Sequence, residues 1–160
     1  MEWFGKVLDK LNRAVELTSA GMLAVMVIVI FLQVIFRSVI KSAIPWSEEL
    51  ARYLMVWITF LGASIAVKRQ GHIGVAALIR ILSPSNKRRA CLLANALSMV
   101  FFAAMIVLGY SILGIVQPQL SPAIELSMAV PYSAILAGGT LMLLYSLYDF
   151  IKVFRAQEGK

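Results

Sequence analysis

Residues 45–57 read PWSEELARYLMVW, which sets two acids and a base at the head of a long greasy stretch. Glu48, Glu49 and Arg52 come just before Tyr53–Val67, a run of 15 residues without a charge. A helix rises about 1.5 Å per residue, so roughly 20 apolar residues are needed to cross the hydrocarbon of a bilayer. The run alone is too short. It spans only if its helix begins near Pro45–Ser47 and carries the charged triplet in its first turns. Proline at a helix start and serine just ahead of acids are both initiation signals.

Three further charge-free runs lie outside this one: Leu17–Phe36 with 20 residues, Cys91–Val116 with 26 and Leu126–Tyr148 with 23. Composition agrees with them. The 160 residues are 61% hydrophobic and 14% charged, whereas soluble domains run near half and a quarter. The chain therefore reads as an all-α integral membrane protein, a single domain over 1–160, with four transmembrane helices near 15–36, 46–67, 91–116 and 127–149. Trp3, Phe4, Val7, Leu8 and Leu11 recur at helical spacing among Lys6, Asp9 and Lys10, which predicts a short N-terminal interfacial helix over 1–12. A cleaved signal peptide is not expected, because Glu2, Asp9 and Glu16 precede a first apolar run too long for one.

The net charge of +7 is a topology signal rather than a nucleic-acid footprint. Lys6, Lys10 and Arg13 precede span 1; Lys68, Arg69, Arg80, Lys87, Arg88 and Arg89 separate spans 2 and 3; Lys152, Arg155 and Lys160 close the chain. Only Arg37, Lys41 and Arg52 fall between spans 1 and 2, and none between spans 3 and 4. By the positive-inside rule both termini and the loop 68–90 are cytoplasmic, and 117–127 is a periplasmic loop. A short surface helix is expected within Ile73–Ile81, and Pro118, Pro122 and Pro131 should break the chain repeatedly before span 4.

Several chemistries are excluded. Cys91 is the sole cysteine, so neither an intrachain disulfide nor a CxxC site is possible. His72 is the sole histidine, so a bis-histidine haem anchor is impossible. With no acid pair at membrane depth, no enzyme activity, cofactor or metal is expected. Nor does one half of the chain repeat the other, as the halves of a complete secondary transporter do.

On span 2, Trp46, Glu49, Tyr53, Val56, Trp57, Phe60 and Ser64 fall within one arc of about 100°. The far side collects Ala51, Thr59, Gly62 and Ala66, small enough for another helix to pack closely. Glu48 and Arg52 stand between the two faces as an i,i+4 pair. Two readings of the triplet stay open. In one it is a helix start, with Ser47 capping, the acids on the helix dipole and Arg52 paired to Glu48. In the other, Glu49 and Arg52 face protein and hold span 2 against a neighbouring helix or subunit. Gln33 and Asn95 are expected in interhelical hydrogen bonds, the tryptophans and span-end tyrosines Tyr145 and Tyr148 at the membrane interface. Glu125 is either a solvated loop acid or a contact for a docking protein.

The pattern Trp46-x-x-Glu49-x-x-Arg52-Tyr53-x-x-x-Trp57, then Phe60-x-Gly62-Ala63 and His72-Ile73-x-Val75, resembles the small membrane subunit of tripartite ATP-independent periplasmic (TRAP) transporters. Ser121-Pro122-Ala123, followed by Met128 and Tyr132, resembles the same family's second landmark. The chain departs from it at Ala76, where the family often has an acid. The resemblance implies a bacterial inner-membrane protein partnered by a large multi-span permease subunit that holds the substrate and sodium sites. It implies also a periplasmic substrate-binding protein that delivers an organic acid such as a C4-dicarboxylate or sialic acid. On this resemblance the small subunit widens the static scaffold, and Trp46, Glu49, Arg52, Tyr53, Trp57, Gly62, His72, Pro122 and Tyr132 are its family-motif or subunit-interface residues. Two other classes remain: a membrane anchor or assembly subunit of another complex, and a small dimeric four-helix exporter. The exporter should carry an acid inside span 1, and Leu17–Phe36 has none.

Overall fold

A computed structural model describes residues 2–42, 44–70 and 84–155. Four long helices account for nearly all of them: α1 (Glu2–Ile35), α2 (Pro45–Gln70), α3 (Pro84–Val116) and α4 (Ala129–Arg155). Each contains a stretch long and apolar enough to cross a membrane. Among the described residues there is no β-strand beyond one isolated bridge, Leu120 to Ser127.

The helix starts follow from proline. Pro45 and Pro84 open α2 and α3, where a missing N–H costs nothing. Pro131 was expected to break the chain, but it lies in the first turn of α4 and is tolerated for the same reason. The expected separate interfacial helix over 1–12 is not a separate element: α1 runs unbroken from Glu2, because nothing between Asn12 and Leu17 stops a helix. Asn12 Nδ2 donates to Glu16 and Ser19 Oγ to the Val15 carbonyl, both within that stretch. A π-turn over Phe36–Ile40 ends the element, with Lys41 in the left-handed region at φ 54°. The surface helix expected within Ile73–Ile81, and His72, lie outside the described residues.

The helices do not close into a bundle. α1 packs along α2, α2 along α4, and α4 along α3, so the elements form a row with α2 and α4 as its inner pair. Burial follows position in the row: 6% of the most apolar window is buried in α1, against 33% in α4. A row of helices exposes two broad faces, so apolar side chains such as Phe31, Phe101 and Leu108 remain uncovered within the chain.

Two successive glycines of α4 permit its close contacts on both sides. A Cβ at Gly138 would come within 2.7 Å of Phe60 Cβ and 2.8 Å of the Phe60 carbonyl oxygen of α2. A Cβ at Gly139, turned 100° away, would meet Met105 Cε of α3 at 3.0 Å. Small residues allow such approach between apolar helices, where lipid offers no competing hydrophobic drive. Deeper along the same contact, Ser146 Oγ of α4 donates to Asn95 Oδ1 of α3 at 2.6 Å, both side chains buried. Tyr145 is fully buried rather than at the interface. Lys68 Nζ stands 5.7 Å from its ring and 5.2 Å from that of Tyr148, close enough for cation–π attraction.

Candidate functional site

The charged triplet of α2 and the loop between α3 and α4 meet at one end of the row. Ser47 Oγ donates to the Ile44 carbonyl at 2.7 Å, fixing the entry of α2 instead of accepting a bond as an N-cap would. One residue apart, Glu48 and Glu49 then point in different directions, and their environments diverge.

Glu49 turns inward and is buried. Its Oε2 accepts the backbone N–H of Ala123 and of Ile124, each at 3.0 Å. Its Oε1 accepts the Tyr53 hydroxyl from one turn further along α2. That hydroxyl lies also 3.3 Å from Met128 Sδ. A carboxylate aimed at two successive backbone N–H groups occupies a small anion-binding concavity, and bonds to an ionised acceptor are the stronger kind. The side chain clasps the loop to the helix.

The loop is built to offer those N–H groups. Ser121 N donates to the Leu126 carbonyl at 2.9 Å, and Leu126 N to Ser121 Oγ at 3.1 Å. Glu125 N closes the turn on the Ser121 carbonyl at 3.1 Å, with Glu125 itself left-handed at φ 57°. Ser121 is buried at the centre of this turn. Pro122 gives up no donor, and its fixed φ helps direct the next two N–H groups toward α2. Trp57 adds a second tie: its Nε1 donates to the Val130 carbonyl at 3.2 Å, joining α2 to the start of α4.

Arg52 and Glu48 turn outward. Their ion pair, 3.0 Å long, is exposed, with 63% and 67% of the side chains accessible. The i,i+4 pair of Arg52 with Glu48 thus forms as the helix-start reading expects, and inside the chain only Glu49 faces protein. Spacing of four residues stacks 48 under 52, whereas 49 is rotated toward the loop. Arg52, Tyr53 and Met128 line two hollows in common. One, of about 400 Å³, is polar-edged, with Glu48, Glu49, Pro122 and Ala123. The other, of about 240 Å³, is apolar, with Val56, Pro131, Tyr132 and Ile135.

Of the residues singled out from sequence, Glu49, Arg52, Tyr53, Pro122 and Tyr132 thus converge, and Trp57 ties in beside them. Trp46 is 49% exposed at the head of α2. Gly62 lies apart: a Cβ added there would meet nothing within 4 Å, so the close approach inside this chain falls to Gly138 instead. The key donors of the site, Ala123 N and Ile124 N, are backbone groups and leave no side-chain signature. Ser121, as centre of the loop, was legible only as part of Ser-Pro-Ala. Among the described residues no cluster of His, Cys, Asp or Glu could hold a metal ion.

A row of four membrane-crossing helices, its end sealed by a carboxylate-clasped loop, defines a small multi-pass membrane subunit. The chain belongs to the DctQ component family of tripartite ATP-independent periplasmic transporters, whose family model matches residues 26–156. Among curated relatives it is 32% identical over 107 residues to the sialic acid TRAP transporter small permease protein SiaQ of Vibrio cholerae, covering 66% of this chain and 61% of that one. It is 30% identical over 107 residues to the C4-dicarboxylate TRAP transporter small permease protein DctQ of the same organism, covering 67% and 46%. Against the isethionate TRAP transporter permease protein DctMQ of Oleidesulfovibrio alaskensis it is 26% identical over 138 residues, covering 81% of this chain and 22% of that one. The chain spans about half the length of the first curated relatives it matches.

Proposed function

We propose that this chain supports the scaffold of a large permease subunit during sodium-coupled uptake of an organic anion delivered by a periplasmic binding protein. The carrying observation is how Glu49 is used. An acid at the edge of the hydrocarbon is costly unless it is paired, and in many transporters it marks an ion path. Here its two oxygens are committed to Ala123 N, Ile124 N and Tyr53 within the chain, which suits a fixed part better than a moving one. The relatives are named as transporter permease proteins, which supports transport rather than catalysis. C4-dicarboxylate, sialic acid and isethionate, named for three of them, share an anionic organic group. The relative DctMQ, several times longer than the stretch matched, supports a large permease unit as the neighbour. In this reading the N-terminal end of α1 and the link between α2 and α3 face the cytoplasm, and the clasped loop faces the periplasm of a bacterial inner membrane.

The test is reconstitution. Liposomes holding this chain alone should take up no organic anion under a sodium gradient, and uptake should require the large subunit and the binding protein together. Uptake by the small chain alone would sink the reading and favour the exporter. Full uptake by the large subunit without this chain would remove its scaffold role. Topology is read from Gln119→Cys and Lys10→Cys in a Cys91→Ser background. An impermeant maleimide added outside cells should label the first and spare the second.

A further inference from the structure

The first turns of α1 sort their side chains into four strips at 100° per residue. Gly5, Leu8, Asn12 and Val15 face inward and are buried. Beside them lie Asp9 and Glu16, which make 3.0 Å ion pairs with Lys68 and Arg69 of α2. Next come Lys6, Lys10 and Arg13, all exposed. The last strip is apolar and also exposed: Trp3 by 76%, Val7 by 40% and Leu11 by 37%. Asp9 and Glu16 are thus taken up by the neighbouring helix, while Lys6, Lys10 and Arg13 stand exposed along an apolar edge.

Continuity decides what that edge meets. From Glu2 through Ile40 the element is one unbroken helical rod, roughly 58 Å long at 1.5 Å per residue, against about 40–45 Å for a bilayer with its headgroups. An over-long helix fits by tilting. Tilting lays one side of the arm toward the headgroups, and the line through Lys6, Lys10 and Arg13 runs on into Leu17, Ile28 and Phe31, exposed by 68%, 58% and 64%. The cations therefore sit where the outward apolar line of α1 leaves the hydrocarbon. Basic residues flanking an apolar strip at that level are the recognition pattern for an anionic lipid surface.

We propose that Lys6, Lys10 and Arg13, with Trp3, Val7 and Leu11 beside them, form a docking surface for anionic phospholipid headgroups. The arm holds α1 at a set tilt through these lipids on one side and through Lys68 and Arg69 on the other. The site is separate from the clasped loop, and the proposal stands whether or not the transport reading does.

The test uses the full chain with Val7→Cys in a Cys91→Ser background, carrying an environment-sensitive fluorophore. It is placed in nanodiscs of phosphatidylcholine alone or with one quarter phosphatidylglycerol. Both leaflets of a disc share one composition, so the result does not depend on orientation. A headgroup spin-labelled lipid should quench the probe more strongly in the anionic discs, and high salt should remove the difference. Each cation near an anionic surface contributes about a fivefold preference, so Lys6→Gln, Lys10→Gln and Arg13→Gln together should shift docking by on the order of a hundredfold. Lys152→Gln should leave it unchanged. Equal quenching in both compositions overturns the proposal. So does shielding of the probe that appears only when the large subunit is added, which would assign the strip to protein. The salt series on the chain with all three bases intact needs no further variant, so misfolding of the triple variant cannot mask the answer.

Discussion

Gly138→Ala should loosen the inner pair of the row. The new Cβ would sit 2.7 Å from Phe60 Cβ and 2.8 Å from the Phe60 carbonyl oxygen. Carbon atoms settle at about 3.5–4.0 Å, so α2 and α4 must part by roughly 1 Å, and one of the blocking groups is backbone that no rotamer change moves. Overpacking of this kind costs about 1–3 kcal/mol. Alanine's better helix propensity returns up to about 1 kcal/mol, which would blur the result if the variant were measured alone. Gly62→Ala supplies the control, because it carries the same propensity gain and meets nothing within 4 Å. The difference between the two variants isolates the overpacking, about 1–3 kcal/mol in favour of Gly62→Ala. Reversible unfolding in mixed micelles, followed by circular dichroism, measures it. Equal stability, or a more stable Gly138→Ala, would refute the close approach and with it the order of helices in the row.

Asn95→Ala should leave Ser146 unpaired between α3 and α4. Interhelical hydrogen bonds in membranes contribute about 0.6 kcal/mol and at most about 1.7, so the same unfolding assay should show a loss of that size, and none in an Asn95→Ala, Ser146→Ala pair beyond the single change. Glu49→Ala should release the loop: the amide protons of Ala123 and Ile124 should lose protection in hydrogen exchange, while those of Ser121 and Leu126, held within the loop, keep theirs. Glu49→Gln retains an acceptor and should fall between. Unchanged protection at Ala123 and Ile124 would remove the clasp.

Three of the spans were legible because each is a long run without charge, whereas the second, whose charge-free run is too short alone, needed a helix start upstream of Glu48, Glu49 and Arg52. The start of α2 at Pro45 was legible because proline punctuates strongly. The row was not, since four apolar stretches carry no mark of which neighbours touch. Gly138 and Gly139 stood in the sequence, but a glycine in a membrane helix does not state which partner it admits. Gly62 looked equivalent and is open. The helical period of Trp3, Phe4, Val7, Leu8 and Leu11 was readable, but not that Leu8 turns inward and is buried, and the fusion of this stretch to α1 depends on the absence of any stop signal after it. The candidate site shows the same division. Its side chains, from Glu49 to Tyr132, were visible as a pattern. What joins them is a pair of backbone N–H groups 74 and 75 residues downstream of Glu49, and no residue type announces those.

The divergence of Glu48 and Glu49 also decides which charges another chain can read. Glu49 is spent inside, so a partner at this end of the row meets Arg52 and Glu48 across the two hollows. Exchanging them, as Glu48→Arg with Arg52→Glu, separates the intrachain role from the external one. The i,i+4 pair is kept but reversed, at a loss of a few tenths of a kcal/mol, and a base in the first turn opposes the helix dipole by about 0.3–1 kcal/mol. An exposed pair contributes little more than this to the chain's own stability. Stability of the swapped chain should therefore fall by about 1 kcal/mol or less. If a partner reads the charges, co-purification with the large subunit should fall more than tenfold, and a tenfold change needs about 1.4 kcal/mol that the chain itself does not lose. Should the swapped chain assemble and transport like the original, Arg52 and Glu48 serve only to start α2. The residue of the triplet that ties α2 to another element would then be Glu49 alone.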